Sequence, residues 1–238
     1  MSSPKSHTLP CVITVDGPSA SGKGTLSRRM AKELGWVYVD SGAMYRTLAW
    51  WCLQKHLRLE KPMTDEDERA VVREMRKWKA ELRLIDGQAW IHVDGYFPAK
   101  EIRSDPVEKA VPVVSQISKV RDWMVRQQRE CVQFGPLVME GRDIGTEVFP
   151  LAPVKFFLEA DAGERQKRIQ DRGGSTDAVW RDSMDIHRKK GALIPALDAI
   201  RINNTGQTPD ETFAVFMGHI VERLGHLPST KPGQVVPQ

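Results

Sequence analysis

At Val12–Thr25, VITVDGPSASGKGT, a strand, a glycine-rich turn and a helix follow one another directly, and no other stretch limits the fold as much. Val12, Ile13, Thr14 and Val15 form a run rich in β-branched residues that reads as a buried strand. Three glycines and a proline between Asp16 and Gly24 force the backbone to turn sharply. Leu26, Met30 and Leu34 then recur at helical spacing, and Gly35 supplies a stop. Inside this frame, Gly17-x-x-x-x-Gly22-Lys23 is the pattern of a phosphate-binding loop. The small residues Gly17, Pro18, Ser19, Ala20, Ser21, Gly22 and Gly24 let the N–H groups of residues 19–24 converge on phosphate oxygens. The helix that starts near Lys23 turns its positive end to the same point, and Lys23 reaches the outer phosphates as a point charge. The hydroxyl that usually follows the lysine comes one residue later, as Thr25, because Gly24 intervenes.

A chain of 238 residues, 40% hydrophobic and 28% charged, has the means to build one sizeable core with a small inserted lobe. It contains no run of about 18 apolar residues, so no membrane partner is expected. The opening MSSPKSHTLP lacks the apolar centre of a secretion signal. Three widely spaced cysteines, Cys11, Cys52 and Cys131, make neither a disulfide framework nor a metal-ligand spacing, which points to a reducing cytoplasm. The net charge of +4 raises the question of nucleic acid. The bases are interleaved with acids, however, as in residues 165–190 with Asp171, Asp177, Asp182 and Asp185, so no nucleic-acid partner is expected. A modest positive excess also suits substrates that are polyanions.

Along the chain, residues 1–10 read as a flexible tail. Trp36–Val39 reads as a second strand, and Asp40-Ser41-Gly42 leads into a helix with Met44, Leu48 and Trp51 on one face. Thr64 and Asp67 open a short helix as a capping-box variant. Two alternating runs flank Asp86-Gly87, a hairpin signal. An antiparallel hairpin is out of place among parallel strands, so about 60–100 is read as an inserted lobe. Asp105-Pro106-Val107-Glu108, with Asp105 as the cap, starts a helix that runs on toward Phe134 and is kinked or broken at Pro112. Leu137–Met139, Val154–Glu159 and Ile200–Ile202 are further strands. Asp161–Arg172 and Arg181–Lys190 are charged helices separated by a break at residues 173–176. Thr208-Pro209-Asp210-Glu211 opens a final helix, and 226–238 reads as a second flexible tail. Trp50, Trp51 and Trp78 read as core rather than as base-stacking platforms.

Four polar stretches fall at strand ends: the loop GPSASGKGT, Asp40–Arg46 (DSGAMYR), Gly141–Thr146 (GRDIGT) and the RDxxDxxR pattern at Arg181, Asp182, Asp185 and Arg188. Together with LIPALDA at Leu193–Ala199, they resemble the bacterial cytidylate kinases over roughly residues 11–225. DSGAMYR and GRDIGT separate that family from adenylate, guanylate and shikimate kinases, which share only the loop.

The resemblance implies an α/β fold of the P-loop NTPase type: three layers, a parallel core sheet, an inserted antiparallel lobe at about 60–100 that binds the monophosphate, and a short lid at about 170–190. It implies phosphoryl transfer from ATP to CMP or dCMP with Mg2+, in a monomer. Lys23, Arg142 and Arg181 match the family's catalytic positions, and residues 17–25 the ATP-binding loop. Arg46 and Arg142 match positions that grip the acceptor phosphate, and Tyr45 belongs to the same substrate-binding set. Asp185 matches a ribose-binding position. Ser41, Arg121, Asp143 and Arg188 match cytosine-reading positions, where a carboxylate accepts from the N4 amino group and an arginine donates to N3 or O2. Thr25 and Glu140 match the magnesium positions, acting mostly through water, with Glu140 standing where the family usually has aspartate. The residues alone also admit plainer readings. Arg142 and Asp143 could form a local salt bridge, and Arg181, Asp185 and Arg188, spaced i, i+4 and i+7, could pair along one helix face. A kinase for UMP or AMP, or a nucleic-acid-binding loop protein without turnover, are the competing functions.

Overall fold

The computed structural model describes residues 11–173 and 177–225. The tails expected at 1–10 and 226–238, and the helix break at 174–176, lie outside the described residues. In chain order the elements are β1 (Val12–Asp16), α1 (Lys23–Leu34), β2 (Val37–Asp40), α2 (Ser41–Gln54), α3 (Asp65–Lys77), β3 (Ala80–Ile85), β4 (Gln88–Val93), α4 (Asp105–Val114), α5 (Ser118–Glu130), β5 (Leu137–Gly141), β6 (Val154–Glu159), α6 (Ala162–Gln170), α7 (Ala178–Ile186), β7 (Ile200–Asn203) and α8 (Pro209–Leu224).

The strands form one sheet in the order β3-β4-β2-β5-β1-β6-β7. All pairings are parallel except that of the hairpin strands β3 and β4. Side chains alternate across the sheet, as the period of two requires. Ile13, Val15, Tyr38, Val138 and Phe156 pack on one face with Leu26 and Met30 of α1 and with Phe216 and Ile220 of α8. Val12, Val37, Val39, Leu137 and Met139 pack on the other, with apolar residues of α2, α3, α4 and α5. The result is the expected three-layer α/β architecture with a largely parallel sheet.

Local chemistry accounts for the helices that frame it. The buried stripe of α1 is Leu26, Met30, Ala31 and Leu34, and Gly35 ends the helix in the left-handed conformation, φ +67°. Complete capping boxes open α3, through Thr64 and Asp67, and α8, through Thr208 and Glu211. Trp78 is buried against Trp123, with ring centroids 5.0 Å apart, so it belongs to the core as expected.

Four expectations change. The hairpin turns at Asp86-Gly87, but its strands join the core sheet beside β2, where an antiparallel pair is expected to stand outside it. The Tyr38 N–H donates to the Gly87 carbonyl at 2.9 Å, satisfying the otherwise open edge of β2. Val71, Met75, Ala89 and Ile91 likewise share the main core with Val12 and Val37, so the lobe has no core of its own. Pro112 sits within α4 and does not end it. The helix stops after Val114, and the Ser115 carbonyl and hydroxyl accept from Arg121 and Arg188 instead of continuing the ladder. At the start of α4, Ser104 takes the N-cap position assigned to Asp105. Finally, α7 begins at Ala178, where the Asp177 carboxylate accepts from the Trp180 N–H, and ends at Ile186, so Arg188 lies past the helix.

The tightest backbone approach is at Gly17, at φ +149°, where a Cβ would lie 2.1 Å from the Leu158 carbonyl oxygen of β6. Gly17→Ala is expected to cost about 3 kcal/mol of stability. Urea unfolding measures it, and a midpoint equal to that of the unaltered chain would contradict this packing.

Candidate active site

Parallel register brings the site together. Val15 pairs with Glu140, Asp16 with Gly141, and Asp40 with Glu140, so β1, β2 and β5 end level. Their carboxyl ends open on a cleft of ≈ 600 Å³, the end of a parallel sheet where ligands bind. At its floor the loop after β1 winds through left-handed turns at Ala20 (φ +58°) and Gly22 (φ +100°), the latter being the N-cap of α1. Such a turn aims successive N–H groups inward. Lys23 is buried beneath it, its ammonium donating to the Pro18 carbonyl at 2.6 Å. Burial and the nearby Arg142 guanidinium push the lysine down to about 7.

One loop amide does not point at the cleft. The Ser19 N–H, expected among the phosphate donors, donates instead to Asp182 Oδ1 of α7 at 3.0 Å. Arg165 of α6 donates to the Ser19 carbonyl at 3.1 Å and to the Asp182 carboxylate. Asn204 and Arg168 donate to the Ser21 carbonyl at 2.9 and 3.2 Å. The loop is therefore braced from behind by side chains of α6, α7 and the segment after β7.

The arginines expected at the site lie against carboxylates. Arg46 Nη2 donates to Asp40 Oδ2 at 2.7 Å, and the same carboxylate caps α2 through the Ala43 N–H. Arg142 Nε donates to Asp185 Oδ2 at 2.8 Å, and Arg188 pairs with the other oxygen of Asp185. Burial opposes ionisation of Asp185, yet Arg142, Arg188 and Arg181 hold its carboxyl below the usual range. Arg181 Nη1 donates to Glu108 Oε2 at 2.7 Å. The pairing left open between Arg181, Asp185 and Arg188 is thus half present: Asp185 binds Arg188, whereas Arg181 turns to α4.

Asp143 follows β5 and opens the π-helical turn Ile144–Val148. Its carboxylate pairs with Arg121, not with Arg142. Arg121 is 2% exposed and pairs with Asp143, which lines the cleft, so it holds that carboxylate in place. Gly191, at φ +63°, lies so close to this pair that a Cβ would come 1.8 Å from an Arg121 nitrogen. Ser41, Tyr45, Thr25 and Glu140 line the cleft. The Tyr38 hydroxyl donates to Glu140, and Gly24 keeps the loop clear of that carboxylate, since a Cβ there would lie 2.8 Å from Oε1.

Several residues of the site escaped the sequence. Asp16 accepts from the Ile144 and Gly145 N–H groups at 2.8 and 2.7 Å and so anchors the segment carrying Arg142 and Asp143. Burial pushes its carboxyl up to about 7 in spite of these donors. Arg103 donates to Asp40 at 3.2 Å on the cleft wall, and Glu108 faces Arg181. Asp16 was legible only as a turn residue and Glu108 only as a first-turn helix acid, because their partners lie 128 and 73 positions away.

The chain matches the family model described as cytidylate kinase over residues 13–222. It is 37% identical over 224 residues to the cytidylate kinase of Geobacillus sp. (strain WCH70), covering 90% of this chain and 97% of that one. It is 35% identical over 225 residues to that of Aeromonas salmonicida (strain A449), covering 90% and 95%, and 36% identical over 222 residues to that of Enterococcus faecalis, covering 89% and 96%.

With Lys23 depressed to about 7, a polyphosphate seated over it restores its charge. Binding of a nucleoside triphosphate at pH 8 is therefore expected to take up close to one proton. Calorimetry in two buffers of different ionisation enthalpy reads this directly. Lys23→Arg, charged throughout, is expected to abolish the uptake. Zero uptake by the unaltered chain would contradict the depressed lysine.

Proposed function

The chain belongs to the cytidylate kinase family, nucleoside monophosphate kinases that use ATP to phosphorylate CMP or dCMP, and from that premise we propose how its cleft divides the work. The observation that carries the proposal is the convergence of two charged sets on one cleft: the Lys23 loop, and Arg46, Arg142 and Arg181.

The ATP polyphosphate lies on the N–H groups of residues 20–25 and on Lys23. The CMP phosphate lies between Arg46 and Arg142, whose planar forks match its oxygens. One of its oxygens attacks the γ-phosphorus as the bond to the β,γ-bridging oxygen breaks, and ADP leaves. Transfer of this kind needs positioning and charge neutralisation more than covalent help from the protein. Arg181 reaches the moving phosphoryl group from the lid helix α7, and Lys23 follows it from the floor. Asp185 accepts from the ribose hydroxyls. Asp143, held by Arg121, accepts from the cytosine N4 amino group, while Arg188 and Ser41 complete the base contacts and Tyr45 flanks them.

The magnesium position is met by hard oxygen donors only, the Thr25 hydroxyl and the Glu140 carboxylate steered by Tyr38. One protein carboxylate and one hydroxyl fit an ion held mainly by phosphate oxygens and water. Mg2+ would neutralise the β- and γ-oxygens there. Residues at about 60–100 serve as the lobe on the monophosphate side, and the lid of the same kinase domain is read at about 170–190, of which 174–176 lie outside the described residues; their closure keeps water from the γ-phosphate. A cytoplasmic monomer that acts on free nucleotides, away from membranes and nucleic acid, fits this reading. No helix of the described residues is long and apolar enough to cross a membrane.

Release of ADP from ATP and Mg2+ tests the assignment, run with CMP, dCMP, UMP and AMP. Turnover is expected with CMP and dCMP and to be weak with UMP. Arg142→Ala is expected to lose about 10²-fold or more in kcat/KM. Turnover that follows AMP or UMP instead would replace the acceptor, and an Arg142→Ala variant as active as the parent would remove that arginine from the site.

A further inference from the structure

Glu108 sits in the first turn of α4, where an acid is expected to serve only the helix dipole. Its carboxylate instead reaches into the cleft. Oε2 accepts from Arg181 Nη1 at 2.7 Å, and Oε1 lies 3.9 Å from Arg46 Nη1. It is a wall residue of the same cleft, about one-fifth exposed, and it ties α4 to α7 and α2. Arg46 has a closer partner in Asp40 at 2.7 Å, and Arg142 has Asp185 at 2.8 Å. Arg181 has Glu108.

Carboxylate and phosphate compete for the same guanidinium fork. An arginine cluster this buried is costly without a counter-charge, and Glu108 supplies one. A phosphate that engages Arg46 and Arg181 has to displace this carboxylate or lie against it, and either event spends part of the attraction between phosphate and arginine.

We propose that Glu108 is an internal competitor of the acceptor phosphate, holding Arg181 and Arg46 and so setting how tightly the monophosphate binds. The inference rests on the reading of Arg46 as a ligand of the acceptor phosphate, and it extends Arg181, the arginine of the moving phosphoryl group, to that same phosphate before transfer. It makes Glu108 a determinant of acceptor affinity acting through the arginines, with no contact to the nucleoside.

Glu108→Gln removes the charge and keeps the shape, and Glu108→Asp keeps the charge. Binding of CMP and of cytidine, which has no phosphate, is measured calorimetrically on the full chain, alongside steady-state kinetics. Glu108→Gln is expected to bind CMP about five- to tenfold more tightly, with a fall in KM larger than any change in kcat and no gain for cytidine. Glu108→Ala is expected to tighten CMP as well, so the result does not depend on hydrogen bonds of the new amide. Glu108→Asp is expected to give back the weaker binding of the unaltered chain. CMP affinity that is unchanged or lower in both neutral variants, or an equal gain for cytidine, overturns the proposal. Failure of the underlying reading looks different: the unaltered chain then shows no CMP-dependent ADP release.

Discussion

Everything at the site hangs on the parallel pairing of β1 with β5 and of β5 with β2. Parallel strands direct all their carboxyl ends to one edge of the sheet, and this register stops the three strands level, at Asp16, Asp40 and Gly141. The phosphate-binding loop, the DSGAMYR helix start and the GRDIGT turn are therefore delivered to the same few ångströms although they lie far apart in the chain. A slip of one residue in β5 would turn Glu140 to the opposite face and carry Arg142 out of line with the loop. The sheet keeps this register because both faces are packed, with Ile13, Val15 and Val138 on one side and Val12, Leu137 and Met139 on the other.

The second constraint is electrostatic. A site for two polyanions needs many cations, and cations crowded into a cleft repel one another and resist burial. The arginines expected to bind are met by carboxylates: Asp40 for Arg46, Asp185 for Arg142 and Arg188, Asp143 for Arg121, and Glu108 for Arg181. These acids hold the guanidinium groups in position before any phosphate arrives, which is how transfer chemistry gains most from a protein. The same acids are competitors for the charge they organise. Which of them gives way to a ligand is a property of geometry, and Glu108, about one-fifth exposed, is more open to the cleft than the buried Asp40, Asp143 and Asp185.

Much of this was readable from local patterns. The strand–loop–helix at residues 12–34, the Thr64–Asp67 capping box, the Thr208 helix start, the Asp86-Gly87 turn and the alternation of strand residues each depend on neighbours a few positions apart, and each is found as expected. Ends of elements were less legible. α4 passes through Pro112 because loss of one N–H is tolerated when its apolar face is buried by Val107, Val111 and Val114, and α7 stops early at Ile186. The hairpin was assigned to a separate lobe on the rule that antiparallel strands do not belong in a parallel sheet. An edge of β2 left without partners overrode that rule.

Sequence by itself determined the kind of chemistry: a loop for phosphate and arginines for a second anion. It could do so because residue types and short spacings fix what a backbone segment can bind. Only the tertiary structure decided which charges meet. Arg121 pairs with Asp143, the Ser19 amide is taken by Asp182, Asp16 anchors the turn after β5, and Glu108 holds Arg181. The reason is physical: an ion pair is worth forming where water has been excluded, and that place is made by the packing of elements distant in the chain, which no local pattern encodes.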